Sequence, residues 1–130
     1  SDLGSALVLS RRNLSAADVN LSATDAKLIA LELRMMHSAL TKCDLRNNWL
    51  GAAGAKSVAE ALRGNAVMQE LNVSNNHLGK NSNDERDVAG VRAFAKVLPT
   101  MAALRSLSLA RNWIDAEGAQ HLAAALPRCK

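Results

Sequence analysis

The chain has 130 residues and a mass of 13.8 kDa, the size of one domain and too short for a large two-domain enzyme. Hydrophobic residues make up 48% of it and aromatic residues only 2%, so it is not a disordered charged tail, and its core must be built from Leu, Val, Ile and Ala. The net charge of +4 arises from sixteen basic and twelve acidic residues interspersed along the chain, which is weak support for a nucleic-acid partner.

In chain order the predicted elements repeat. The opening stretch GSALVLSRRNL is a degenerate copy of the frame LxxLxLxxNxL, with Leu7, Leu9 and Leu14 in place, and the alternation around Leu7 and Leu9 predicts a strand. Ser22 to Asp25 reads as a capping box, and Ala26, Ile29, Ala30 and Leu33 follow at helical spacing. The frame LxxLxLxxNxL is then filled by Leu40, Cys43, Leu45, Asn48 and Leu50, and a helix is predicted through Ala55, Val58, Ala59 and Leu62. Met68, Leu71, Val73, Asn76 and Leu78 fill the frame again, followed by helical Val91, Phe94, Ala95 and Leu98. Leu104, Leu107, Leu109, Asn112 and Ile114 make the last copy, with Ala119, Leu122, Ala123 and Leu126 behind it. Gly64, Pro99 and Pro127 stand where helices should stop.

Each unit is therefore strand, turn, helix. The spacing is 28 residues from Asn48 to Asn76 and 36 from Asn76 to Asn112. Arg12 takes the asparagine's place in the first copy, 36 residues before Asn48. The extra residues of the third unit fall in KNSNDERD, Lys80 to Asp87, and SAADVNLS holds the corresponding place in the first, so long and short units are expected to alternate. The reading is a single α/β domain over 1–130, with about four repeats at approximately 4–39, 40–67, 68–103 and 104–130. One such unit cannot bury its apolar side alone, whereas stacked units share a continuous core. Small aliphatic side chains suit closely stacked layers, which accounts for the scarcity of rings, and Phe94 is expected in the core.

The frame followed by LGAAGAKSVAEAL resembles the ribonuclease-inhibitor-like class of leucine-rich repeats, and the likeness runs over most of the chain. The resemblance implies a curved solenoid with parallel strands on the concave side and helices on the convex side. It also implies that Asn48, Asn76 and Asn112 form a structural asparagine ladder at the turn after each strand, bonded to backbone groups. Arg12 departs from that pattern and suggests an end cap or a worn repeat, and 36 residues exceed the usual unit.

The family hosts mainly binding proteins, so function has to be sought in exposed positions. Residues between the buried leucines should form rows on the concave face: Val8, Asp44, Asn72 and Ser108; Ser10, Arg46, Ser74 and Ala110; Arg11, Asn47, Asn75 and Arg111; and Lys42, Glu70 and Ser106. Mixed charge and small polar groups suit a protein surface, although plain solvation is the simpler account. The position after the ladder asparagine holds Asn13, Trp49, His77 and Trp113. A regular stack would align the last three along one rim, the tryptophans roughly 10 Å apart. Interface hot spots are enriched in Trp and Arg. Trp49, His77, Trp113, Arg46, Asp44, Asn72 and Arg111 are thus the candidate partner-binding residues, with the Lys80 to Asp87 loop extending the lip; rings folded over the turns are the structural alternative.

No enzymatic constellation emerges. His37, His77 and His121 fall in different settings, giving no metal spacing. Cys43 replaces a core leucine and reads as a small buried hydrophobe, not a nucleophile. Gly51, Gly54, Gly79, Gly90 and Gly118 recur at turn and helix-start positions and do not form a phosphate loop. No cofactor, metal or small-molecule substrate is expected. With only Cys43 and Cys129, a disulfide framework is out of reach, and a cytoplasmic or other reducing intracellular compartment is expected. No segment has the length of a membrane span, and the N-terminus lacks a signal-peptide layout. The sequence reading is a non-catalytic protein-interaction scaffold. The alternatives are a structural subunit held by its ends and helical face, and, less favoured, a nucleic-acid-binding module.

Overall fold

The computed structural model describes residues 8–9, 13–15, 23–37 and 39–125, and the side chains of 25–37 and 39–125. Its elements are β1 (Val8–Leu9), β2 (Asn13–Ser15), α1 (Ala23–Met35), β3 (Lys42–Asp44), α2 (Gly51–Leu62), β4 (Glu70–Asn72), α3 (Ala89–Val97) running into a 3-10 turn at Leu98–Thr100, β5 (Ser106–Ser108) and α4 (Ala116–Ala125). The strands form one sheet in sequence order, parallel from β2 to β5, with β1 antiparallel to β2 at its edge. The helices pack successively, α1 on α2, α2 on α3 and α3 on α4.

Strand register follows the repeat frame in the last three units: Cys43, Leu71 and Leu107 are partners, and so are Asp44, Asn72 and Ser108. The first unit departs from the expected frame. Leu14, not Leu7, pairs with Cys43, and Ser15 takes the place beside Asp44 that was expected of Val8. Val8 lies instead on the antiparallel edge strand, opposite Ser15. Leu14 to Cys43 is 29 residues, and so is Ala26 to Ala55, so strand and helix step by the same amount and the first unit needs no insertion. The expected alternation of long and short units is therefore replaced by one long unit, the third. The Ser22 end of the expected capping box, Ser10, Arg11, Arg12, Leu126, Pro127 and Cys129 lie outside the described residues.

Burial explains the helical spacing. Ala26, Ile29, Ala30 and Leu33 of α1, Ala55, Val58, Ala59 and Leu62 of α2, and Val91, Phe94 and Ala95 of α3 all face the core. They meet Cys43, Leu45, Leu50, Leu71, Val73 and Leu78 from the strands and turns. Phe94 is the largest of these side chains and is fully buried. In α4 only Leu122 and Ala125 are buried beside Gly118; Ala119 and Ala123, expected on the same inward face, are exposed. Small residues set the helix separation. A Cβ on Gly90 would stand 2.8 Å from the Ala55 Cβ and 2.9 Å from the Ala52 carbonyl, closer than any side chain allows, so α3 approaches α2 through this glycine.

The long unit accommodates its extra residues by folding them back on themselves. Lys80 bridges Arg86 in antiparallel fashion, and the Asp87 N–H returns to the Gly79 carbonyl at 2.8 Å. Inside the loop Asn81 Oδ1 accepts from the N–H groups of Asn83 and Glu85 at 2.9 and 3.0 Å. The chain thus leaves and rejoins the repeat at almost the same point, and Asp87 Oδ1 accepts the Ala89 N–H at 2.9 Å to start α3. Among the described residues no helix is long and apolar enough to cross a membrane.

Candidate functional site

The turns that follow the strands are held by three buried amides. Asn76 Nδ2 donates to the carbonyls of Leu45, Val73 and Ser74 at 2.8, 3.1 and 3.1 Å. Asn112 Nδ2 donates likewise to Val73, Leu109 and Ala110 at 2.9, 3.0 and 3.2 Å. Asn48 Nδ2 reaches Leu45 and Arg46 within its own unit at 2.8 and 3.2 Å. Asn112 Oδ1 also accepts the Asn76 N–H at 2.7 Å, so one side chain ties two successive turns. Backbone bonds between neighbouring units continue past the strands, from Leu45 N–H to the Asn72 carbonyl through Gly51 N–H to the Asn76 carbonyl.

This rigid turn has an unusual backbone. Asn47, Asn75 and Arg111, just before the buried amides, have φ of 57, 54 and 55°, and His77 and Trp113, just after them, have φ of 57°. Asn tolerates the left-handed region well and His is also enriched there, whereas Arg and Trp enter it at a cost of about 1–2 kcal/mol each. At Gly79 an added Cβ would meet the Trp113 carbonyl at backbone distance, so only glycine lets this turn lie on the next one.

The same geometry brings Trp49, His77 and Trp113 into one line. The Trp49 and His77 rings stack with centroids 4.0 Å apart and planes 10° apart. His77 and Trp113 follow at 6.4 Å and 23°. Lys80 Nζ sits 4.0 Å from the centre of the Trp113 ring, a cation–π contact, and is also 3.1 Å from Asp84. Both indoles remain 60% exposed. The rings prop one another, and Trp49 and Trp113 are not folded into the core.

The remaining candidates lie on the strand face beside this line. Asp44 Oδ1 accepts the Arg46 N–H at 3.2 Å and its other oxygen stands 3.6 Å from Arg46 Nε, so Asp44 is already engaged by its neighbour. Lys42 and Glu70 pair at 3.3 Å. Asn72 Oδ1 accepts from both the N–H and the hydroxyl of Ser74 at 3.0 and 2.7 Å. Between Arg46 and Arg111 the face opens into a depression of about 440 Å³, also lined by Asn47, Asn72, Ser74 and Asn75.

Lys80 was not among the candidates, because its reach to Trp113 depends on how the inserted loop folds. Arg86 was missed for the same reason: it bonds Asp115, and its Nη2 lies 2.6 Å from Glu117 Oε1, pinning the loop to the start of α4. The Arg86 guanidinium holds both carboxyls below the usual carboxylate range, and the hydrogen bond from the Gly118 N–H adds to the effect at Asp115. Cys43 is buried, and desolvation, with a smaller contribution from the Asp44 charge, pushes its thiol up to about 12. It stays protonated and unreactive near neutral pH. Among the described residues no group of three or more His, Cys, Asp or Glu is placed to hold a metal ion.

Residues 102–123 match a family model described as a leucine-rich repeat. The match spans β5, the turn through Asn112 and Trp113, and most of α4. The last unit is therefore similar to a leucine-rich repeat, and such repeats generally mediate protein–protein interaction and are typically non-catalytic.

Proposed function

We propose that this chain is a non-catalytic protein-interaction scaffold that binds a protein partner through its strand face and the rim formed by Trp49, His77 and Trp113. On this reading the units form a curved leucine-rich-repeat solenoid of about four repeats, of the ribonuclease-inhibitor-like class, working in the cytoplasm or another reducing intracellular compartment. The observation that carries it is the continuous Trp49–His77–Trp113 stack with two indoles 60% exposed. Exposed rings already locked against one another lose little conformational freedom on binding, and tryptophan is the side chain most enriched at interface hot spots. An ordinary turn would not require Trp113 at a backbone angle that disfavours it.

The test is comparative capture from the native source with the wild-type chain and with a Trp49→Ala, Trp113→Ala double variant, followed by mass spectrometry. The reading expects proteins retained by the wild type to be lost by the variant, with the far-ultraviolet circular dichroism and melting curve of the two chains alike. Identical retention would remove the rim from the interface.

A second reading, a structural subunit of a larger assembly held by its ends and helical face, is favoured by one observation. Leu28, Leu31 and Met35 on α1 are exposed, and an apolar helix face of this kind suits a permanent neighbour. Mass in solution separates the two, since a monodisperse monomer at high concentration fits the scaffold and not the subunit.

A further inference from the structure

The depression on the strand face has a one-sided hydrogen-bonding character that follows from its internal bonds. Asn72 Oδ1 is taken by the Ser74 N–H and hydroxyl, and the Asn72 amide N–H groups meet no acceptor among the described residues. Asn47 Oδ1 accepts from Asn75 Nδ2 at 3.0 Å, which leaves the Asn47 amide N–H groups in the same position. Arg46 Nε stands 3.6 Å from the Asp44 carboxylate, too far for a hydrogen bond, so the guanidinium is held by no hydrogen bond among the described residues. Arg111 pairs with no carboxylate among the described residues. Two guanidinium groups and two amides thus present donors around a space of about 440 Å³, with the oxygens of those two amides taken by neighbours and the Asn75 Oδ1 left as an acceptor in the lining.

We propose that this depression receives a carboxylate side chain from an acidic segment of the protein partner, held between Arg46 and Arg111 with Asn47 and Asn72 donating to it. The proposal rests on the reading of the strand face as a partner surface and names the partner's chemistry. Arginine forks match a carboxylate bidentately. A nucleic-acid backbone fits less well, because the strand face also carries Asp44 beside Arg46 and Glu70 further along, and a run of evenly spaced phosphates would meet both where a single carboxylate meets at most Asp44. Backbone cost points the same way. In the two preceding units the position of Arg111 is asparagine, which suits φ near 55°, and arginine there carries strain that folding does not need.

The experiment titrates the full chain with hexaglutamate, inorganic phosphate and a hexathymidylate oligonucleotide, following side-chain Nε–H and amide resonances by NMR. Hexaglutamate is expected to shift Arg46, Arg111, Asn47 and Asn72 saturably, at lower concentration than phosphate. An Arg46→Gln, Arg111→Asn double variant is expected to weaken that binding by about tenfold or more. Because asparagine relieves the strained angle, the variant is expected to melt no lower than the wild type, so lost binding is not lost folding. No saturable shift, equal binding by the variant, or tighter binding of phosphate or of the oligonucleotide each overturns the proposal. The Trp49→Ala, Trp113→Ala variant supplies the separate readout of the rim, through the proteins it captures. If hexaglutamate fails while that variant still loses its captured proteins, the pocket falls and the interaction rim stands.

Discussion

At the scale of single residues, Asn76 shows why a buried polar side chain persists in a core of leucine and alanine. Its amide donates to three carbonyls in two units. Replacing it by alanine removes one of the two donors at each of these carbonyls, at a cost of about 1–3 kcal/mol. Urea unfolding of Asn76→Ala should show that loss. Asn75→Gly, which gives up one exposed bond to Asn47 but keeps a residue suited to positive φ, should stay within about 0.5 kcal/mol of the wild type. Similar losses in both variants would mean that the buried amides do not hold the turns. The three asparagines were legible in sequence because each stands at one fixed position of a repeated frame. Arg111 was legible only as a charge on the face. Its strained φ comes from the turn, which the neighbouring Asn47 and Asn75 adopt at little cost, and no residue type signals that an arginine has been placed there.

At the scale of elements, the inserted loop is joined to α4 by charge. Arg86 bonds Asp115 and Glu117, and Arg92 adds a looser contact to Glu117 at 3.5 Å. Both carboxyls titrate below their usual range in the folded chain, so on acidification the unfolded chain takes up protons first. Their contribution is therefore fully present above about pH 4.5 and is lost as pH falls toward the depressed folded values. An Arg86→Gln variant should lose less stability than the wild type between about pH 4.5 and 3, read from melting temperatures across that range. Parallel curves would show that the loop is not tied to α4 through these groups. The loop's place in the third unit was plain from the spacing of asparagines, but its partner was not, since Arg86 and Asp115 meet only after the chain has doubled back through Asp87. The first unit was misread for a different reason. Leu7, Leu9 and Leu14 all fit the repeat frame, and only the agreement of strand and helix steps at 29 residues chooses Leu14 as the partner of Cys43. The edge strand Val8–Leu9 then runs antiparallel to β2, covering a sheet edge that would otherwise present unpaired backbone groups.

At the scale of the whole molecule, successive packing of strands and helices means that each layer is stabilised chiefly by its neighbours, so stability need not be uniform along the chain. The layers built from β3, α2, β4 and α3 bury their leucine-frame residues on both sides, with Leu45, Leu62, Leu71, Val73 and Phe94 at 2% exposure or less. The last layer does not: Leu107, Leu109 and Ile114 are only partly buried, and Ala119 and Ala123 of α4 are exposed. With fewer apolar groups removed from water, opening of α4 costs less than opening of α2 or α3. Native-state hydrogen exchange should therefore show α2 and α3 amides exchanging only through global unfolding, with the amides of α4 exchanging earlier and with a weaker dependence on denaturant. A Phe94→Ala variant, expected to cost about 3–5 kcal/mol, should accelerate exchange in α2 and α3 by the full loss while moving α4 less. Uniform protection across the three helices would show instead that the chain opens as one unit, and that the half-exposed leucines of the last repeat are as firmly held as those in the middle.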